Sequence, residues 1–264
     1  MKKFYILCLA FLCLGEFDLP AQNSAVNKII EIGQNDNQAM HQLDILTNRF
    51  GGRPIGSDAY DNAAEWMIRE YKKWGIEAHL EEAGTLQVGF NRGPWFGKLL
   101  SHDNGMTLHF ATPSYTAGTK GVQRGHVLIE PKTEDEFQRM KHKLKGAWVL
   151  ISGTNTGWPI DRSAEGDSIR EAVKKENLEI TKKNAELRKR NYENGEKNEM
   201  LPLREFPALF YNEMKEAGVL GFIQSSPVPI RALYDRKMID SMTFDNAPEL
   251  PDIKLDEHQF KVIE

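Results

Sequence analysis

Histidine and acidic residues are the side chains of this sequence that could bind a metal ion and activate water. Zinc in hydrolytic enzymes is held by His, Asp and Glu side chains. No two histidines are four residues apart, so the sequence contains no His-Glu-x-x-His helix. His79, His109 and His126 fall in predicted strands and could approach one another, although structural or solvated histidines are the preferred interpretation. The seven histidines are residues 41, 79, 102, 109, 126, 142 and 258.

Two short motifs look like parts of a metal site. The sequence Ser-His-Asp-Asn-Gly-Met at 101–106 places His102 beside Asp103, and Glu81 is followed by Glu82. One tight loop cannot supply both halves of a two-metal site, and Asn-Gly is typical of a polar turn. Neighbouring strand residues point to opposite faces, so the two glutamates cannot both face one metal. We therefore predict a turn at 101–106 and no catalytic role for the acidic pair.

Motifs for other kinds of catalysis are absent from the sequence. It has no Gly-x-Ser-x-Gly elbow of a serine hydrolase and no Gly-x-x-x-x-Gly-Lys-Ser/Thr phosphate loop. Cys8 and Cys13 are its only cysteines, and both lie in a segment that we predict to be removed. The mature chain would then have no cysteine nucleophile, no disulfide and no thiolate metal site.

The first 22 residues have the pattern of a secretory signal peptide. Lys2 and Lys3 precede an apolar run at 4–14, and Ala21 provides a small residue near its end. The run is shorter than the roughly 20 residues that span a bilayer, and neither cysteine follows a lipobox. We therefore predict export to the periplasm or the extracellular space, with no membrane attachment after cleavage. The 34 basic and 38 acidic residues give no basic field for nucleic acid.

Residues 50–75 contain the clearest local signals for secondary structure. Glycines and a proline at 51–56 predict a turn, and Ser57 or Asp58 can cap the helix that follows. Gly75 can adopt the left-handed conformation that ends a helix. The apolar positions recur at steps of three and four, which predicts one buried stripe. These positions are Tyr60, Ala63, Ala64, Met67, Tyr71 and Trp74.

The remaining elements alternate between strands and helices. A first helix is predicted within 23–50, from Met40, Leu43, Leu46 and Phe50. Strands are predicted within 76–90, at 107–110, 126–129, 146–152 and 217–224, with a helix beginning near Asn212. The turn-rich stretch 112–121 is a candidate domain boundary. Residues 161–200 are dense in charge with sparse apolar positions at Ile169, Val173, Leu178, Ile180 and Leu187, which favours a solvated helical insertion over a lid or partner arm.

Two stretches resemble known families. Arg-Phe-Gly-Gly-Arg-Pro-Ile-Gly-Ser at 49–57, Ala-Ala-Glu-Trp at 63–66 and Trp-Gly-Ile-Glu-Ala at 74–78 resemble the co-catalytic zinc aminopeptidases of metallopeptidase family 28. Lys-Gly-Ala-Trp-Val-Leu-Ile at 145–151 and Glu-Ala-Gly-Val-Leu-Gly-Phe-Ile at 216–223 resemble the protease-associated domain, a β-rich module inserted in exported peptidases. In the aminopeptidases the first of these segments precedes the metal site and holds no ligand.

The resemblance implies a complete enzyme with two zinc ions and a peptide substrate. That family uses a His-x-Asp pair, an Asp-Asn-Gly-like loop, a Glu-Glu pair, a further acid and a final His, and this sequence does not contain them in order. We therefore assign no catalytic, cofactor or metal residue to this chain and expect it to bind no zinc. It is predicted to be the inactive N-terminal part of an exported zinc exopeptidase that hydrolyses peptide bonds with metal-bound hydroxide.

The predicted fold class is α/β. Residues 1–22 form the signal peptide, and 23–118 form the N-terminal helices and first strands of an incomplete α/β/α peptidase domain. Residues 119–240 form a protease-associated-like domain with the charged insertion 161–200, and 241–264 form a linker returning to the catalytic part. The alternative function is a non-catalytic exported binding module that holds a peptide or a partner protein.

Overall fold

A computed structural model describes residues 20–102, 104–155, 160, 164–227 and 239–264. The predicted signal peptide, residues 1–22, lies outside this part of the chain except for its last three residues. The fold is mixed α/β, as the sequence predicts. Contacts divide the described residues into two compact units, one up to residue 51 and one from residue 52 onward. Within the described ranges, no helix combines the length and the apolar composition that crossing a membrane requires.

The first unit is helical. Helix α1 (Pro20–Asn35) is followed by α2 (Ala39–Asp44), which continues into a π-helical turn (Ile45–Arg49). The break between α1 and α2 is stabilised by Asn37, whose Oδ1 accepts the Ala39 N–H at 2.9 Å. No side chain of α2 or the π-helical turn is buried. The sequence predicts one helix within 23–50, but the structure has two.

Helix α3 (Asp58–Lys73) begins the second unit and confirms the predicted helix. Ser57 Oγ accepts the Tyr60 N–H at 3.1 Å, which satisfies one of the free amides of the first turn. Gly75 has a φ of 75°, as a helix-ending residue should. The predicted buried stripe is partly wrong, because Tyr60 and Trp74 are exposed.

The side of α3 that packs inward carries Ala63 and Trp66, both buried. This face is rotated from the predicted one, since Trp66 lies about 60° around the helix from Ala63 and outside the stripe that the spacing favoured. The sequence could not choose between these faces because tyrosine and tryptophan are amphipathic and occur on both.

Residues 76–90, all of them described, form no strand, so the strands predicted there are wrong. Ile76 and Leu80 alternate as a strand would, but they are 50% and 58% exposed and no neighbouring strand pairs with them. The short strands β1 (Lys98–Leu99) and β2 (Met106–Thr107) then form an antiparallel hairpin.

A five-stranded sheet is the centre of the second unit. Its strands are β3 (Phe110–Ala111), β4 (Val127–Ile129), β5 (Trp148–Thr154), β6 (Gly221–Ser226) and β7 (Asp252–Asp256). Their order across the sheet is β3-β7-β6-β5-β4. Strands β4, β5, β6 and β7 are parallel to one another, whereas β3 is antiparallel to β7. The strands predicted at 126–129, 146–152 and 217–224 are thereby confirmed, with small differences in their bounds.

Helices connect the parallel strands. Helix α4 (Glu134–Leu144) joins β4 to β5, and α5 (Ala164–Asn194) and α6 (Tyr211–Glu216) lie between β5 and β6. A short 3-10 turn (Ile239–Ser241) precedes β7, and α7 (Glu257–Ile263) follows it. Helix α4 is capped by Thr133, whose Oγ1 accepts the Glu136 N–H at 3.2 Å. Parallel strands require such crossovers because the chain must return to the same end of the sheet.

Each face of the sheet packs against its own apolar cluster. Val149, Ile151 and Phe222 pack with residues of α4, α5 and α6, and Tyr211 stacks on Phe222 with ring centroids 4.9 Å apart. Leu150, Ile223 and Leu255 pack on the other face with Phe260 of α7. The strict alternation along β5 and β6 therefore places successive side chains in two different cores. A run that is apolar on both faces is expected for central parallel strands.

Helix α5, 31 residues long, confirms the predicted helix within the charged insertion, but it is not solvated on all sides. Asparagines at seven-residue intervals on one face form two hydrogen bonds each with the backbone of the returning segment 196–206. In each pair the amide nitrogen donates to a backbone carbonyl and the amide oxygen accepts a backbone N–H, at 2.8–2.9 Å. We call these pairs the asparagine ladder: Asn177 with Arg204, Asn184 with Leu201, and Asn191 with Asn198.

The ladder requires the returning segment to be extended. Seven helical residues rise about 10.5 Å. Three residues of the antiparallel returning segment cover the same distance, which is close to the reach of an extended chain at about 3.4 Å per residue. Asn177 and Asn184 are buried by this arrangement.

Residues 241–264, predicted as a linker, contribute β7 and α7 to the sheet and its packing. Strand β7 pairs with β6 over five positions and with β3 on its other side. Strand β3 belongs to the interval 23–118, which the sequence assigns to a different domain. The sheet therefore joins segments from three of the predicted intervals, because its pairing is between strands far apart in the chain.

Candidate functional site

The carboxyl ends of the parallel strands carry polar residues. Glu130 follows β4, Asn155 follows β5, Ser226 ends β6 and Asp256 ends β7. Ligands in open parallel sheets bind at this edge, because helix N-termini and loop side chains converge there. This edge is therefore the first place to search for a functional site.

A buried polar cluster lies on the sheet and is connected to this edge by Asn155. Lys254 Nζ is 2.8 Å from Asp252 Oδ1 and donates to Gln224 Oε1 at 3.1 Å. The same Gln224 oxygen accepts from Asn155 Nδ2 at 2.8 Å. The other Asp252 oxygen, Oδ2, accepts the Ile160 N–H at 2.7 Å. The side chains of Lys254 and Asp252 are 0% and 2% exposed.

The cluster follows from the register of β6 and β7. Gln224 and Lys254 are direct partners across the two strands, and Asp252 lies two residues before Lys254 on the same face. Burying a charge is costly unless it is paired, and here each charged group faces the other. Asp252 Oδ2 accepts a hydrogen bond, whereas Oδ1 accepts none from the described residues and only faces the ammonium of Lys254, so the arrangement suits a structural ion pair that ties β7 to Ile160.

A second buried carboxylate fixes the segment that precedes α6. Glu130 accepts the Ser152 N–H at 2.7 Å and the Ala208 N–H at 2.8 Å, and Lys132 Nζ lies 2.8 Å from it. Arg170 of α5 donates from Nε to the Ala208 carbonyl at 2.9 Å. Ala208 has a φ of 50°, a conformation that costs a non-glycine residue about 1–3 kcal/mol. Hydrogen bonds on both of its peptide groups hold it there.

Lys174 joins α5 to α6 through an ion pair. Its Nζ is 2.9 Å from Glu171 Oε1 and also contacts Glu213. Burial by itself would lower the pKa of Lys174, but the hydrogen bonds and charges of Glu213 and Glu171 outweigh it and raise that pKa above its ordinary value. The ammonium is therefore held in its charged form and supports packing, not proton transfer.

The motifs considered for metal binding lie in several places. The 101–106 motif spans the turn between β1 and β2, where Gly105 N–H donates to the His102 carbonyl at 2.7 Å, which confirms the predicted turn. Glu81 and Glu82 are exposed in the irregular segment after α3, and His79 Nε2 lies 3.2 Å from Glu81 Oε1.

His109 and His126 are both exposed and flank different strands. The His109 N–H donates to Gln259 Oε1, and His126 Nε2 contacts the Lys143 carbonyl at 2.8 Å. Across the described ranges, no three His, Cys, Asp or Glu side chains are arranged to hold a metal ion. The residues present there do not fit a two-zinc centre.

The sequence interpretation missed the residues that bring the segments together. Lys254 and Asp252 lie in the predicted linker, and their alternation with Ile253 and Leu255 was a strand signal. The asparagine ladder also had a signal, since its members recur every seven residues within α5. Glu130 had none, because its partners are backbone amides of distant segments.

Searches of protein-family models, of curated proteins and of solved structures found no match to this chain.

Proposed function

We propose that this chain forms the N-terminal part of an exported zinc-dependent aminopeptidase and carries a domain of the protease-associated type. The proposal rests on the resemblance of residues 49–78 to metallopeptidase family 28 and of 145–151 and 216–223 to the protease-associated module. The structure is consistent with it in outline. A glycine-rich turn leads into a capped helix. The two stretches that resemble the protease-associated module, 145–151 and 216–223, contribute to the adjacent parallel strands β5 and β6.

The observation that carries the proposal is the exposure of apolar side chains before residue 101. In the first unit, α1 exposes Val26, Ile29 and Ile30, and in the second unit the segment after α3 exposes Ile76 and Leu80. The three residues of α1 recur at steps of three and one on one helical face, and a contiguous exposed apolar face is typical of an interaction surface. The central sheet of a peptidase domain is the partner that this proposal supplies. Both faces of the five-stranded sheet, to which the protease-associated part contributes three strands, are by contrast covered.

The complete enzyme would hydrolyse the first peptide bond of a substrate, and the zinc ions held by its catalytic part would supply the activated water. The described residues of this chain do not fit a zinc pair, so this proposal requires other sequence to supply the metal ligands and the catalytic carboxylate. The chain by itself is expected to be inactive. Its contribution would be to support the catalytic part and to shape access to it.

The intact mass of the native protein tests the proposal. Protein from the exported fraction of the source cells is captured with an antibody against residues 50–75 and weighed. A mass well above 30 kDa, with bound zinc and aminopeptidase activity, supports the proposal. A metal-free monomer with the mass of residues 23–264 contradicts it.

A dye-binding measurement separates the proposal from the rival function. The purified chain is expected to bind a hydrophobic dye strongly, and replacing Ile76 and Leu80 by Gln should lower that binding. The control is Phe244→Gln, which removes one apolar side chain that is still more exposed, at 81%, from another part of the chain. Weak dye binding that neither change affects would contradict the proposal.

The rival is a non-catalytic exported module that binds a peptide or partner protein. The completeness of the five-stranded sheet favours it, because both faces of that sheet are already covered within this chain. Such a module would be monomeric, would bind little dye and would contain no zinc.

A further inference from the structure

Arg92 is held in place by neutral acceptors. Its Nη1 donates to both the carbonyl and the hydroxyl oxygen of Thr112, the latter at 2.7 Å, and its Nη2 donates to Ser114 Oγ at 3.5 Å. Thr112 and Ser114 follow β3, an edge strand of the five-stranded sheet. The guanidinium is thus fixed on one side by groups that carry no charge.

Aromatic rings hold the guanidinium further. The centroids of the Phe90 and Trp95 rings lie 5.3 Å and 5.5 Å from Arg92 Cζ, distances at which a cation is attracted to a ring. Both rings are themselves held. Trp95 Nε1 donates to the Phe110 carbonyl at 2.8 Å, and Phe90 packs on Tyr115 with centroids 5.2 Å apart. The orientation of the Arg92 side chain is therefore set before any ligand arrives.

The charge of Arg92 has no counter-ion among the described residues, since no carboxylate there lies within ion-pair distance of it. A guanidinium remains charged at any ordinary pH, although burial lowers the pKa of Arg92 from its usual value. Its Nε–H and the second N–H of Nη2 donate to no acceptor in the described ranges. These two hydrogens lie on one side of the guanidinium and can be donated to the two oxygens of a carboxylate in a bidentate pair.

Two exposed aromatic residues follow Arg92 closely in the chain. Trp95 is 43% exposed and Phe96 is 74% exposed, and both belong to the same loop as Arg92. Arginine that serves only to brace a loop needs no exposed aromatic side chains beside it. A partly desolvated cation with a rigid fork and an aromatic rim is the arrangement that recognises an acid attached to an apolar group.

We propose that Arg92 is the centre of a binding site for a peptide carboxylate, with Nε and Nη2 holding the two oxygens and with Trp95 and Phe96 contacting the neighbouring side chain. The carboxylate can come from a chain terminus or from an acidic side chain. This inference does not depend on the proposed aminopeptidase function, because it concerns recognition by residues that this chain contains.

The test uses three small peptides as probes. N-acetyl-Ala-Phe has a free terminal carboxylate, its amide has none, and N-acetyl-Glu-Phe-amide carries the carboxylate on a side chain. Affinity is measured by calorimetry, and the ¹⁵Nε resonance of Arg92, assigned through the chain, is followed during each titration of the unmodified protein. We expect the two acids to bind and to shift this resonance, and the neutral amide to bind at least tenfold more weakly.

Variants separate a specific fork from general positive charge. Arg92→Lys keeps the charge but loses the planar pair of donors, so it should weaken acid binding about tenfold to a hundredfold. Lys98→Gln removes an exposed positive charge six residues away and should change the affinity less than twofold. If Arg92→Lys does not fold, the resonance titration of the unmodified protein decides.

Each outcome has a defined meaning. Binding of one acid or of both supports the site and identifies the source of the carboxylate. The proposal is overturned if the Arg92 resonance does not move with either acid, if the amide binds as tightly as the acids, or if Lys98→Gln weakens binding as much as Arg92→Lys.

Discussion

Replacing Asn184 by alanine tests whether the asparagine ladder holds the returning segment on α5. The side chain makes two hydrogen bonds with Leu201, donating to its carbonyl and accepting its N–H, both at 2.8 Å. Each such bond contributes about 1 kcal/mol. Alanine improves the intrinsic helix preference by roughly 0.6 kcal/mol. The expected net loss is therefore about 1.5 kcal/mol.

The loss should be local, because the ladder joins α5 to one segment and not to the sheet. Hydrogen exchange of the Leu201 amide is the appropriate assay, since it reports opening of a single region. A loss of about 1.5 kcal/mol corresponds to roughly a tenfold faster exchange at that amide. The free energy of unfolding of the second unit, measured by chemical denaturation, should change less.

Asn62→Ala is the matched control. Asn62 is an exposed residue within α3, and no side-chain hydrogen bond to it is found among the described residues. The same substitution there should stabilise its helix slightly or leave it unchanged. Unchanged exchange at Leu201 in Asn184→Ala, or equal losses in the two variants, would refute the reasoning about the ladder.

Three further substitutions test the buried contacts. Asp252→Ala leaves the Lys254 ammonium buried without its partner and should destabilise the protein by about 3–5 kcal/mol in a denaturant titration, whereas a loss below 1 kcal/mol would contradict the buried ion pair. Lys174→Met removes a lysine whose pKa is raised in the folded state, so its stability difference from the unmodified protein should be constant below pH 10.5 and shrink as the pH rises further; a constant difference in alkaline titrations would argue against the pair. Gly125→Ala places a Cβ 2.2 Å from the Gly146 carbonyl oxygen and should lower the free energy of unfolding by about 1–3 kcal/mol. An unchanged melting temperature would show that the two backbone segments can move apart without cost and would contradict this prediction.

Local signals in the sequence predicted the elements whose ends are decided by neighbouring residues. Ser57 marks the start of α3 and Gly75 marks its end, because a cap and a left-handed glycine act within one helical turn. The strands at β5 and β6 were also predicted, since runs buried on both faces need no knowledge of their partners. The charged composition of 161–200 correctly predicted a helix.

Features that depend on distant partners were not predicted. Ile76 and Leu80 alternate as a strand does, yet a strand forms only where another strand pairs with it. Residues 252–256 have a similar pattern and do form a strand, because β6 and β3 lie on either side. The difference between these two stretches is in the tertiary structure and not in their composition.

The site residues show the same division. The polar turn at 101–106 could be predicted from Asn-Gly, which acts locally. The surroundings of Arg92 could not, because Thr112 and Ser114 are about twenty residues away and the side chain was indistinguishable from a surface arginine. Paired charges such as Lys254 and Asp252 were hidden by their position in a stretch assigned as a linker.

The spacing of the asparagine ladder limits how the lengths of α5 and of the returning segment can change. Successive pairs of the asparagine ladder are separated by seven residues of α5 and three residues of the returning segment. The pairs therefore stay in register only if α5 and the returning segment lengthen or shorten together by these numbers of residues. An insertion in α5 alone, or in the returning segment alone, would shift every later pair of the ladder. Because seven residues fall about 20° short of two full helical turns, each added pair also winds around α5. Long versions would need the returning segment to follow a slow spiral.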